Sequence, residues 1–137
     1  MSAEPALEDG DYRALAAFRA ELRRFLAFSQ GAARAAGITP QQHQALLAVR
    51  GHDGPGPASV SDVATALGLR LHSATELLVR TERAGLLHRG TDPGDRRRTV
   101  CTLTPDGERV LSALSEQHRT ELRQLRAVVA ALDRLDR

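Results

Sequence analysis

Three punctuation marks between Ser59 and Gly85 leave this chain few ways to fold. Ser59 reads as a helix N-cap with Asp62 in the first turn, and Val63, Ala64 and Leu67 then face inward. Gly68 permits a tight turn. A second helix follows from about Leu71 to Ala84 and stops at Gly85, the expected C′ glycine. Residues placed at 100° intervals put Leu71, Ala74, Leu77, Leu78 and Thr81 on one side of it, and His72, Ser73, Glu76, Val79, Arg80 and Arg83 on the other. Beyond Gly85, Leu86 to Gly90 and Thr99 to Leu103 alternate as short strands, joined by the polar loop Thr91 to Arg98 with Pro93-Gly94 inside it.

Long helices flank this segment. From Asp11 to about Ala36, Leu15, Phe18, Leu22, Phe25 and Ser29 recur in a three-four alternation, which predicts a helix on the order of 37 Å long with a narrow stripe. Such a helix outruns what the rest of a small domain covers, so part of its stripe is expected to meet another subunit. Gly37 ends it, and Thr39-Pro40-Gln41-Gln42 starts the next helix with an N-cap, a proline at the first position and a capping-box Gln. Leu46, Leu47 and Val49 give that helix its buried face. Residues 51–57 form a loop; no strand precedes them and no Gly-Lys-Ser/Thr follows, so they are not a phosphate cradle. Thr104-Pro105-Asp106-Gly107 opens a last helical region striped by Leu111, Leu114, His118, Leu122, Leu125, Val128/Val129, Leu132 and Leu135. No Pro or Gly follows Gly107, so the pattern fits either one helix or two.

The expected fold is mainly α with a small β-hairpin: a winged helix-turn-helix core over 39–104, with long helices at 11–36 and 105–137, in a single domain of 137 residues. That length buries a core without staples. A single cysteine, Cys101, allows no intrachain disulfide, and nothing in sequence near it lowers its pKa, so it reads as a small buried hydrophobe in preference to a redox sensor. The first twelve residues are acidic and lack the apolar core of a secretory signal, and no apolar run approaches the roughly 20 residues that span a bilayer. A cytoplasmic protein without a membrane partner is expected. The histidines at 43, 52, 72, 88 and 118 form no i,i+4 pair and no His-Glu-x-x-His, so no metal site is expected, with a meeting of His43 and His118 across two helices as the one reservation. No nucleophile elbow, phosphate loop or paired-carboxylate motif occurs, so no catalytic residue, no cofactor and no enzyme activity are expected.

Charge distribution narrows the choice of partner. The net charge is only +2, and every one of the 19 basic residues is Arg. Residues 70–98 nevertheless carry seven Arg against Glu76, Glu82, Asp92 and Asp95, a surplus of three on one small module, which is the footprint of a polyanion partner. A helix pair followed by an arginine-tipped hairpin is an arrangement that holds duplex DNA by the major groove and the adjacent minor groove together. His72, Ser73, Glu76 and Arg80 project from the first turns of the second helix, with Thr75 at the border as a phosphate contact. Arg80 is placed to fork onto guanine O6 and N7, or else to pair with Glu76 on a solvated face. In the hairpin, Asp95 is expected to hold the Arg97 guanidinium in a bidentate pair so that the arginine reaches the minor groove already ordered, while Arg96 and Arg98 take phosphates.

The blocks Val60-Ser-Asp-Val-Ala-Thr-Ala-Leu-Gly-Leu69, Glu82-Arg-Ala-Gly-Leu-Leu87, Asp95-Arg-Arg97 and Leu103-Thr-Pro-Asp-Gly107 occur in an order and spacing that resemble the MarR family of transcriptional regulators. Each block alone is weak; the ordered set is specific and spans essentially the whole chain. The resemblance implies a homodimer clasped by the helices at 11–36 and 105–137, which binds a pseudo-palindromic operator on double-stranded DNA and represses transcription. It also implies release by a small, often aromatic effector, for which Phe18, Phe25, Phe28 and His43 are the candidate contacts, with dimer core as their other reading. Two positions depart from the family: Arg70 stands where a Ser or Thr often caps the recognition helix, and Glu76 where a basic or neutral base-reading residue is common. Glu76 either accepts from a cytosine amino group or is neutralised by Arg80. Two competing functions follow: a protein-interaction module on the same scaffold that reads no DNA, and a redox- or metal-responsive DNA-binding sensor.

Overall fold

The computed structural model describes residues 3–136, so residues 1, 2 and 137 of the expected span lie outside the described residues. The elements run α1 (Asp9–Ala35), α2 (Pro40–Arg50), β1 (Ala58–Ser59), α3 (Val60–Leu67), α4 (Leu71–Arg83), β2 (Leu87–Asp92), β3 (Asp95–Leu103) and α5 (Pro105–Ala130), with a 3₁₀ turn over Ala131–Asp136. The expected mainly helical fold with a small β wing is what forms. Two compact units result: residues 33–115 make one, and the chain up to residue 32 together with the chain from residue 116 makes the other.

In the 33–115 unit the helix boundaries follow from local chemistry. Gly37, at φ 82°, closes α1 in a Schellman arrangement in which the Ile38 N–H donates to the Ala33 carbonyl and the Gly37 N–H to that of Arg34. Thr39 and Gln42 cap α2 reciprocally, and Ser59 and Asp62 do the same for α3. Gly68 turns the chain into α4 at φ 65°, and Gly85 turns it out at φ 79°. Thr104 then fastens the last helix: its N–H donates to the Leu86 carbonyl, its hydroxyl donates to the Gly85 carbonyl, and the same oxygen accepts from the Gly107 N–H. A Cβ at Gly107 would lie 1.9 Å from the Leu86 carbonyl oxygen, which explains why glycine occupies that turn.

The core of this unit is built from Ala45, Val49, Val63, Leu77, Leu78 and Leu87, closed on the sheet side by Ala58 and Cys101, with a second cluster at Leu46, Leu86 and Leu111. Each fully buried Leu or Val contributes roughly 1.5–3 kcal/mol. Cys101 is buried, and burial pushes its thiol up to about 11, consistent with its expected role as a small hydrophobe.

Four expectations need correction. Leu47 is about half exposed, because the buried face of α2 is made by His43, Ala45, Leu46 and Val49. Leu71 is also exposed, since the inward stripe of α4 begins only at Ala74. The sheet gains a strand, β1, paired antiparallel to β3 with Ala58 opposite Cys101; two residues show no alternation to read. The wing strands are longer than expected, so Arg96, Arg97 and Arg98 lie within β3 and only Pro93-Gly94 form the tip. The last helical region is one α-helix, α5, as far as Ala130, followed by the 3₁₀ segment that carries Leu132 and Leu135.

In the other unit, Ser29 and His118 are buried and meet at 2.9 Å between Oγ and Nε2, and Phe25 and Phe28 each set an edge against the His118 ring. Leu7, Tyr12, Leu26, Leu122 and Val129 are exposed there. Among the described residues no helix is long and apolar enough to cross a membrane.

Candidate nucleic-acid interface

The site is built from α3, α4 and the β2–β3 wing, all within the 33–115 unit. Burying Ala74, Leu77, Leu78 and Thr81 turns the opposite face of α4 outward. His72, Ser73, Glu76 and Arg80 are exposed along it, as the helical wheel requires. Thr75 borders them, half-buried, with its hydroxyl donated to the Leu71 carbonyl at 2.9 Å; to donate to a phosphate it must rotate off that carbonyl.

The start of α4 departs from that of α3. Arg70 occupies the N-cap with extended backbone and offers no side-chain acceptor to the first-turn amides, whereas α3 has its reciprocal cap. Glu76 is paired with His72, with Nε2 and Oε1 3.1 Å apart across one turn. The expected neutralising partner, Arg80, has no carboxylate within ion-pair distance among the described residues. Four-residue spacing is met both by 72–76 and by 76–80, and the carboxylate turns toward the helix start.

The wing carries its arginines in an irregularity of the ladder. Thr91 pairs with Thr99, yet Asp92 pairs with Asp95, so residues 96–98 have no partner residues across the strand and bulge from it. Asp92 accepts the Gly94 N–H at 2.9 Å, and Asp95 accepts the Arg97 N–H at 3.1 Å. Asp95 therefore orders the backbone at Arg97 and forms no ion pair with its guanidinium, contrary to the expected fork. The anchored arginine is Arg98: its guanidinium reaches Asp62 Oδ2 at 2.9 Å and Asp92 Oδ2 at 3.3 Å. It ties the wing to the first turn of α3, with its side chain about one-third exposed at 35%. Arg96 and Arg97 are exposed, and no carboxylate pairs with either among the described residues.

Asp62 is the hub. The Ser59 N–H holds its carboxyl below the usual carboxylate range, with the Ser59 hydroxyl, His52 and Arg98 acting in the same direction against partial burial. Its Oδ2 accepts from Ser59 N–H and Arg98, and His52 stands 3.5 Å away. Glu82 plays a similar part at the exit of α4, accepting both the backbone N–H and the side-chain Nε of Arg89, and the Arg89 N–H is the main reason its carboxyl is lowered. Neither anchor was singled out from sequence; an acid in the first turn of α3 that has no basic partner on its own helix was the available signal for Asp62.

Two concavities border α4. One, of about 410 Å³, runs between α3, α4 and the wing and is lined by Ser61, Leu71, Thr75, Arg89, Arg97 and Thr99, among others. The other, of about 640 Å³, lies between α2, α3 and α4 and brings Gln41 and Gln44 beside Ser73, Glu76 and Arg80. Ser61, Leu71, Gln41 and Gln44 were not among the expected site residues. The effector candidates divide: Phe18, Phe25 and Phe28 are half-buried in one unit, and His43 is buried on α2 of the other. Among the described residues no cluster of three or more His, Cys, Asp or Glu is placed to hold a metal ion.

This geometry has known counterparts. A model of the MarR family matches residues 36–98, which include α2 through most of the wing. The transcriptional regulator HosA of Escherichia coli O111:H- is 36% identical over 76 residues, covering 56% of this chain and 54% of HosA. The chain thus spans about half the length of that relative. Among solved structures, the MarR family transcription regulator SP03579 superposes with a TM-score of 0.69 at 28% identity, covering 82% of this chain and 72% of that one. Staphylococcus aureus MepR in complex with DNA superposes at 0.68 with 24% identity, covering 80% of each chain.

Proposed function

The chain belongs to the MarR family, and on that premise we propose that it is a sequence-specific DNA-binding transcriptional regulator. It acts in the cytoplasm as a homodimer on a pseudo-palindromic operator, and represses until a small molecule releases it. The observation that carries this reading is the pairing pattern of the arginines. Arg89 and Arg98 are tied to carboxylates, while Arg80 on α4 and Arg96 and Arg97 on the wing are exposed and have none among the described residues. Tied arginines fix the wing against the helix pair; the others are displayed together for an outside anion. HosA, a named transcriptional regulator, supports the same reading, and MepR uses this fold on DNA.

His72, Ser73, Glu76 and Arg80 read base edges in the major groove, with Thr75 on the backbone. Arg97 enters the minor groove, Arg96 takes a phosphate, and Asp95 and Arg98 hold the wing in place. The terminal helices make the dimer, supported by the exposed Tyr12, Leu26, Leu122 and Val129. An aromatic effector is supported by the half-buried Phe18, Phe25 and Phe28, with His43 carried as the fourth candidate.

Selection of duplexes from a randomised pool with the full chain, followed by gel mobility shift, tests the reading. The expected result is enrichment of an inverted repeat that is retained in excess non-specific DNA. Failure to enrich any sequence favours the interaction module that uses the scaffold without DNA.

A further inference from the structure

We propose that Leu71 is a specificity-determining residue of the DNA interface, making an apolar contact with the C5 methyl group of thymine. The inference rests on the DNA-binding reading above and adds a residue that the polar face of α4 does not contain. Leu71 is the first residue of α4, and it is 56% exposed. Neither buried cluster of the 33–115 unit includes it. A large apolar side chain left in water at the start of a short helix gives up the stabilisation that burial supplies.

What surrounds Leu71 restricts what can cover it. It shares its cleft with Arg97, Ser61, Thr75 and Thr99, and Arg97 is one of the wing arginines without a carboxylate partner. Arg70 precedes it and leaves the first turn of α4 without a side-chain cap. An occupant of this cleft must bring anionic groups for the arginine and an apolar group for the leucine. Duplex DNA does both: its phosphates are the anions, and along the major-groove edge thymine presents the one apolar group among the four unmodified bases. A leucine set against any other base edge would desolvate donors and acceptors without replacing their hydrogen bonds. Leu71 therefore favours thymine at one position of each half-site and disfavours the other bases there.

The test uses the full chain and the duplex it selects from a randomised pool, at fixed salt. Each thymine is replaced in turn by deoxyuridine, which removes the methyl group and keeps the base-pairing edge. Affinity is expected to fall about fivefold at one symmetry-related pair of positions, the scale of one or two buried methyl contacts. Leu71→Ala, a good helix former whose folding is checked by circular dichroism, should bind thymine and deoxyuridine duplexes equally, while Leu71→Met should keep most of the discrimination. Specific binding by the parent chain that ignores every deoxyuridine, or an undiminished deoxyuridine penalty in Leu71→Ala, overturns this inference and leaves the DNA-binding reading standing. Absence of any specific duplex overturns both.

Discussion

The two compact units satisfy their apolar residues differently. In the 33–115 unit, Leu46, Val63, Leu77, Leu78, Leu87 and Leu114 are buried, three helix starts are closed by side chains, and among the described residues only Leu47 and Leu71 are exposed large hydrophobics. In the unit made from the chain ends, Leu7, Tyr12, Leu26, Leu122 and Val129 are exposed, and among the described residues Ser29 and His118 are its buried side chains. One unit completes a core within a single chain. The other leaves apolar side chains of α1 and α5 in water, and in the proposed homodimer a second copy covers them, since exposed apolar positions on long helices mark association. Stability is therefore expected to reside in the first unit and assembly in the second.

That division can be broken most forcefully at Gly107. Replacing it with Ala forces a methyl group onto the Leu86 carbonyl, and urea unfolding should show a loss of about 3 kcal/mol or more, at the upper end for an overpacked site. The same substitution should leave dimerisation untouched at temperatures where the chain stays folded. The converse change, Leu122→Glu on the exposed stripe of α5, should leave unfolding of the isolated chain within about 0.5 kcal/mol. It should raise the dimer dissociation constant by about 100-fold, because a carboxylate would be buried in the interface. Sedimentation velocity across a dilution series measures it. A dimer unmoved by Leu122→Glu would remove α5 from the interface.

Smaller effects sharpen the contrast between tied and displayed arginines. Arg97→Ala should weaken binding about tenfold on every sequence and lower the salt slope by about 1, measured by fluorescence anisotropy at several salt concentrations. Ser59→Ala should cost about 1 kcal/mol through loss of the α3 cap. Asp62 has its pKa lowered in the folded chain, so its contribution to stability is fully present above the ordinary carboxylate value and is lost as pH falls through the lowered one. Asp62→Asn should flatten that acid limb of the stability profile.

Much of this was readable from the sequence where the cause is local. Gly37, Gly68 and Gly85 sit at left-handed turns, and the capping residues Thr39, Ser59 and Thr104 are where their side chains predict. What escaped depends on neighbours distant in the chain. Leu71 fits the apolar stripe of α4 by angle, yet no element lies over the first residue of the helix to bury it. Asp95 and Arg97 suggested a side-chain pair, whereas the bulge at 96–98 places the Arg97 amide against that carboxylate and delivers Arg98 to Asp62, 36 residues earlier. β1 pairs over two residues only, too few to leave a periodic trace.

The most direct measurement is sedimentation equilibrium of the full chain with its selected, dye-labelled duplex over a range of salt concentrations. The expected result is two chains on each duplex, with the logarithm of affinity falling linearly against the logarithm of salt concentration. A species with a single chain that discriminates between no two duplexes at any salt concentration would contradict it.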